Sequence, residues 1–318
     1  MLNNDLQMQG NPDGTPIFES FTPQNEYDLS SVDSGDIYFA FSDQRNFIDN
    51  DIYLQKYSED GIASFSEPVL VVDNFFVDDN IKFVNSFAVD QTIIAYDSGD
   101  FMGTRAMAIS TDDEGSVISG WEGGVRLSTY ESDQFIKGMV ETSNGYFIIW
   151  KDQRSGSADI YGQAIADDAM ILGNVEGIPI ATGMNDQQSP SISYNQTLDE
   201  IMVCWEDFIN GTDFDIYCSK IDGTTLTVQE TVDLCVYSGN QKTPDVYATL
   251  DGTYLFAWED SRGGVTTDLY YQSMTNGMFD FVDNGIELCN AQFNQFNPKI
   301  DIYSETDNSY IIYWDDMR

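Results

Sequence analysis

Apolar residues occur along this chain in short runs, each closed by turn residues. The runs "GYFIIW" (145–150) and "EIMVCW" (200–205) have strand length and end on an aromatic, whereas "TLTVQET" (225–231) mixes apolar and polar positions. The first kind reads as a strand covered on both faces, the second as a strand nearer solvent. Asp-Gly (60–61 and 222–223) and Asn-Gly (276–277) stand between successive runs and mark tight hairpins. No segment combines a helical period with helix-stop signals, so the pattern predicts an all-β fold.

The runs repeat. An aromatic followed by an acidic loop recurs at Phe41, Tyr96, Trp150, Trp205, Trp258 and Trp314, at intervals of 55, 54, 55, 53 and 56 residues. Each unit opens on a loop carrying an amide, as in "NDQQSP" (185–190), "GNQKTP" (239–244) and "FNQFNP" (293–298), with Gln187, Gln241 and Gln295 three places before the proline. Gln24 and Gln134 fill that place in two other units and Asn80 is the candidate in the remaining one. A short strand, a second strand ending on the aromatic, and a third strand opened by Asp51, Asp159, Asp215 or Asp268 follow, then a turn and a fourth strand. Four antiparallel strands repeated six times predict a six-bladed β-propeller over residues 1–318 as a single domain. One such sheet has two apolar faces, and ring packing buries both while leaving only short outer edges.

The last unit stops at "WDDMR" (314–318), halfway through the pattern. Reading on from Arg318 to Met1, Asp5 falls nine places after Trp314, as Asp159 falls nine after Trp150. "GTPIF" (14–18) then parallels "GIPIA" (177–181). The expectation is a closing blade built from residues 1–18 and 291–318, with the N-terminal segment supplying its outer two strands.

Charge narrows the function classes. With 54 acidic and 13 basic residues the net charge is −41, and no basic patch offers itself to phosphates, which argues against nucleic acid and anionic membranes. No stretch approaches the roughly 20 apolar residues of a membrane span. The absence of histidine removes Ser-His-Asp and Cys-His catalysis and every histidine metal site. Cys204, Cys218, Cys235 and Cys289 include no CxxC. The first three fall on successive strands, where buried free thiols are expected ahead of a disulfide.

The fullest motif is Trp-x-Asp-x-Arg followed by Asp-Ile-Tyr. Asp43/Arg45, Asp152/Arg154, Asp260/Arg262 and Asp316/Arg318 carry both charges, and Asp207 lacks the arginine. A group present in nearly every blade serves what every blade needs, so these residues read as structural, the Asp accepting loop N–H groups and the Arg pairing with it. The informative positions are where the repeat breaks. Blade two has Phe101 and Arg105 in "YDSGDFMGTRAMAIS" (96–110) and adds Trp121 and Arg126, and blade four has Phe208 and Ile209 at a loop tip. These six are the candidate binding residues.

The W-x-D-x-R and D-I-Y-x-Q unit, carried by 150–163, 258–272, 41–55 and 314–318 with 5–9, resembles repeats of secreted bacterial β-propeller proteins. That resemblance covers the whole chain and implies export to a cell-surface or extracellular setting. "YWDD" (313–316) and "KIDG" (220–223) are similar to the YWTD six-bladed propellers in architecture, without that motif's threonine. The sialidase Asp-box is approached only by "YSEDGIASF" (57–65), one residue short and ending in Phe.

Uniform unit lengths favour a noncatalytic binding or scaffold module that recognises a protein or glycan on one rim, monomeric or part of a larger modular protein. A carbohydrate-active enzyme using two rim carboxylates is the alternative. No cofactor is expected apart from calcium, for which the clusters at 49–53 and 212–217 are oxygen-rich, and a calcium-stabilised structural unit is the third reading.

Overall fold

The computed structural model describes residues 24–31, 35–46, 49–73, 77–86, 90–304 and 309–318. Every regular element among them is a β-strand, and the strands form six antiparallel sheets in chain order. The first four sheets (24–72, 77–126, 134–181 and 187–235) have four strands each, the fifth (241–289) has five, and the sixth (295–316) has two. The first strands, Gln24–Ser31, Val77–Ser86, Gln134–Thr142, Gln187–Asn195, Gln241–Ala248 and Gln295–Ser304, pack on one another in series. Residues from five of them surround one cavity, so the first strands line a common axis. This is β-propeller architecture. Residues 1–18, expected to complete the last blade, lie outside the described residues.

The core is a series of layers between neighbouring sheets. Phe147, Ile149 and Ile160 of the third sheet meet Ile201, Val203 and Trp205 of the fourth. Met202, Cys204 and Cys218 on the opposite face meet Phe256 and Trp258 of the fifth. This is why the second strands read as unbroken apolar runs: both faces are covered.

The repeated Asp ties its own blade together. Asp152 is fully buried and accepts from Trp150 Nε1 (2.9 Å), Arg154 N (2.9 Å) and Nη2 (2.6 Å), and Gln134 Nε2 (3.3 Å). Asp260 repeats this with Trp258 Nε1 (3.1 Å), Arg262 N (2.8 Å) and Gln241 Nε2 (3.3 Å). Asp207 takes Trp205 Nε1 (3.0 Å) and Gln187 Nε2 (3.2 Å) with no arginine. The guanidinium lies on the tyrosine of the third strand, at 3.7 Å for Arg45 over Tyr53 and Arg154 over Tyr161 and 3.9 Å for Arg262 over Tyr270. Asp43 pairs with Arg45 (2.9 Å), and Asp316 with Arg318 Nε (2.7 Å). Gln134, Gln187 and Gln241 therefore each bond the motif Asp of their own blade, whereas Gln295 Nε2 bonds Phe293 O (2.8 Å) and Ala291 O (3.4 Å). Glycine is required where a fourth strand begins over the Trp: a Cβ on Gly285 (φ 72°) would lie 2.3 Å from Trp258 Cη2.

Two sequence expectations change. In the second sheet Asp78, not Asn80, holds the glutamine place, because it pairs with Ser98 as Gln187 pairs with Asp207. Cys204 and Cys218 are directly opposite on neighbouring strands, with Cα atoms 4.0 Å apart, and form a disulfide. Cys235 stays a free buried thiol whose pKa burial pushes up. The bridged residues are 14 apart, so the double variant Cys204→Ala/Cys218→Ala is expected to lose about 2–3 kcal/mol in urea unfolding, the scale of closing a loop of that length.

Candidate functional site

The first strands break register just after the glutamine position. The shifts fall between Gln24 and Tyr27, Asp79 and Lys82, Gln188 and Ser191, Lys242 and Asp245, and Phe296 and Lys299. Asn80, Ser189, Thr243 and Asn297 at these bulges are left-handed, with φ of 52°, 49°, 49° and 53°. In the third sheet Ile136 and Gly138 pair with Trp150 and Ile149, which leaves Lys137 as the extra residue. Bulges twist a strand and re-aim its side chains. Here they sit at the same level in successive sheets and shape the axial space.

Carboxylates of first and second strands also fasten several sheets to the first strand of the next. Asp28 Oδ2 accepts Phe83 N–H (3.0 Å), Asp97 Oδ1 accepts Ile136 N–H (2.6 Å), and Asp245 Oδ2 accepts Ile300 N–H (2.8 Å). Glu206 accepts Thr243 N–H (2.9 Å) and Glu259 accepts Asn297 N–H (2.9 Å). Asp97, Glu206 and Glu259 occupy the same place, the residue after the aromatic of the motif.

Two cavities open here. One, of about 370 Å³, is lined by Lys82, Lys137 and Lys299 with Ser189, Ser191 and Thr243 among its polar groups. The other, of about 360 Å³, is lined by Glu26, Asp79, Asn80, Asp97, Thr104 and Phe135, and shares Lys137 with the first. Asp97 is 5% exposed. Burial pushes its pKa up to about 7, against the pull of the Ile136 N–H, the Asn80 amide (2.9 Å) and the Lys137 charge, while Asp79 pushes the same way as burial. Burial holds Lys137 below the ordinary lysine value, the Asp97 charge opposing and Lys151 and Lys82 reinforcing it. A carboxyl that is half-protonated near neutrality, beside further carboxylates and an ammonium, can give or take a proton from a bound molecule.

The six residues singled out from the sequence do not form one site, although Arg105 and Arg126 meet on Glu131. Phe101 is fully exposed on the hairpin between the second and third strands of its sheet. Arg105 is buried and shares Glu131 with Arg126, at 2.6 and 2.8 Å. Trp121 is buried in the core, its Nε1 donating to Asp167 O (3.0 Å). Phe208 packs on Phe214 with ring centroids 4.9 Å apart, and Ile209 is exposed beside it. In the two oxygen-rich clusters an amide stands between the carboxylates: Asn46 bonds Asp49 and Asp51, and Asn210 bonds Asp213 (2.5 Å) and Asp215 (3.1 Å). Among the described residues no group of three or more acidic or cysteine side chains is arranged to hold a metal.

Sequence reading missed Asp97 and the three lysines. The signal was present in the repeat itself: Lys82 and Lys137 are 55 apart, and Lys299 lies 162, three repeat lengths, beyond Lys137.

No protein-family profile matches the chain, and no curated protein does. Solved structures do. One is a protein of unknown function from Dyadobacter fermentans, with a TM-score of 0.55 and 13% identity over 89% of this chain and 88% of that one. Another is an ulvan lyase of a polysaccharide lyase family, at 0.54 and 10% over 89% and 78%. A third is an α-L-arabinofuranosidase from Fusarium graminearum, at 0.52 and 11% over 89% and 85%. The likeness is one of fold. It sets the chain among β-propellers, two of which bear the names of carbohydrate-degrading enzymes.

Proposed function

We propose that the protein is a carbohydrate-active β-propeller that takes a glycan at the axial cavities, with Asp97 as its proton donor. The observation that carries this is Asp97 itself, a carboxyl with its pKa raised to about 7 in a cavity it shares with Glu26 and Asp79. Glycoside cleavage uses one carboxyl kept protonated and a second kept ionised on either side of the bond. The enzyme names among the similar folds support the same reading. Purified protein incubated with plant and algal polysaccharides should release reducing ends or unsaturated products. The Asp97→Asn variant should lower kcat/KM on the order of 10²–10⁴-fold, the range of general acid catalysis, with its circular dichroism unchanged. Turnover by the variant at the parent rate would overturn the assignment.

A second reading is a noncatalytic module that binds a glycan or protein. It is favoured by the fact that Asp97, Glu206 and Glu259 each hold an N–H of the next sheet, which is the work of a fastening. Binding without turnover across the polysaccharide panel selects it.

The finer architecture belongs to this proposal. The ring has six blades, and residues 5–18 supply the outer strands of the last one. An exported, surface or extracellular setting accords with the acidic composition and with the Cys204–Cys218 bridge, since disulfides persist in oxidising compartments.

A further inference from the structure

The charge lining the 370 Å³ axial cavity is the reverse of the charge of the chain. The chain has 54 acidic residues against seven lysines and six arginines. The 370 Å³ cavity is lined by three of those lysines and by no aspartate or glutamate. The lysines come from the second, third and sixth sheets, so no local feature of sequence groups them. Two have anchored neighbours: Lys299 Nζ bonds Asp245 (2.7 Å), whose other oxygen takes Ile300 N–H, and Asp28, fixed on Phe83 N–H, pairs electrostatically with Lys82. Asp97 faces Lys137 from the adjoining cavity. Ser191 and Thr243 add hydroxyls to the lining. Bringing like charges together around an axial space costs free energy by mutual repulsion, and a bound anion removes that cost. Burial is the main cause of the lowered pKa of Lys137, and the Lys151 and Lys82 charges add to it.

We infer that the axial cavity is a site for an oxyanion, a carboxylate or sulfate, and, resting on the carbohydrate reading above, that the saccharide it takes is an acidic one. A lysine ammonium is a compact point charge that accepts either group without a fixed geometry. An acidic glycan approaching a body of charge −41 is repelled over most of the surface, so the cavity also selects where it docks.

The test compares fluorescent dextran sulfate oligosaccharides, neutral dextran of the same length, and sodium sulfate alone, at one ionic strength, on the full chain. Dextran sulfate is expected to bind at least tenfold more tightly than dextran. The double variant Lys82→Gln/Lys299→Gln should lose that preference, and each single variant about half of it on a logarithmic scale. Lys220→Gln, whose ammonium is on Glu230 (2.9 Å) outside the cavity, should leave it unchanged. Equal binding of the two polymers, or dextran sulfate binding that the lysine variants do not alter, overturns the inference. Sodium sulfate raising the unfolding midpoint through these lysines while neither polymer binds would establish the oxyanion site and remove the saccharide as its source. Lysine-dependent binding of dextran sulfate in a protein that cleaves no glycan would leave this inference standing and remove only the enzymatic reading.

Discussion

Removal of residues 1–18 is expected to lower the unfolding midpoint by about 5–10 °C. The sixth sheet has two described strands, Gln295–Ser304 and Ser309–Asp316, where the first four have four. Its second strand is the exposed member of its class. Tyr313 and Ile311 are 51% and 44% exposed, whereas Cys204 and Met202 at the matching places of the fourth sheet are 0%. The strand edge away from Gln295–Ser304 also carries backbone groups with no described strand beside it. Residues 5–9 and 14–18 match the third and fourth strands of other blades in spacing and kind, so they are the occupants proposed here. Covering several large apolar side chains at roughly 1.5–3 kcal/mol each gives several kcal/mol. For a chain of 318 residues each kcal/mol moves the midpoint by about 1.5 °C. Calorimetry on the full and shortened chains reads the shift. Adding a synthetic 1–18 peptide should restore part of it, which a general loss of solubility would not show. Equal midpoints would remove the closure.

Acidification from pH 8 to pH 5 is expected to stabilise the fold, against the usual direction. Burial raises the pKa of Asp97 to about 7 and of Asp51 and Asp215 to about 6, with neighbouring aspartates adding to the shift. Between the ordinary carboxylate value and these values the folded chain holds more protons than the unfolded one, so stability falls as pH rises through that window. The cost of ionising Asp97 is at most about 4 kcal/mol, at roughly 1.4 kcal/mol per unit. The net charge of −41 acts in the same direction, since protonation relieves self-repulsion. Below pH 4 the sign reverses. Hydrogen bonds from Arg154, Trp150 and Ser132 hold Asp152 below the ordinary range despite its burial, and Thr224 and Tyr194 do so for Asp199. Those contributions are present above the unfolded value and are lost as pH falls through the folded one. Thermal melts from pH 3 to pH 9 at constant ionic strength should therefore peak between about 4 and 5. Asp97→Asn should flatten the slope between 4 and 7. A midpoint that climbs steadily from pH 5 to pH 8 would contradict this account.

Much of the fold was legible because it is periodic. An apolar run ending on an aromatic, a buried Asp two residues later and a strand opening on Asp-Ile-Tyr or Asp-Leu-Tyr are local requirements, and the first, third, fourth and fifth sheets each meet them with their own residues. Trp150, Asp152, Arg154 and Tyr161 form one contact set within 12 positions of chain. The disulfide was less legible, because strand assignment alone did not fix which residues stand opposite. A one-residue change of register would separate Cys204 from Cys218.

The candidate site was hardly legible. The repeat-breaking residues looked informative because they depart from the pattern, yet Trp121 fills core and Arg105 is held by a neighbouring loop. Asp97 resembles any acidic residue after a motif aromatic until burial by two neighbouring sheets raises its pKa. The lysines sit in three separate units, unremarked beside 54 acids. By itself the sequence determined the strand pattern, the repeat and the Asp–Arg anchoring, because these arise within a single blade. Only the tertiary structure decided which charges meet on the axis and which carboxyl has its pKa raised, because proximity and burial there are set by blades far apart in the chain.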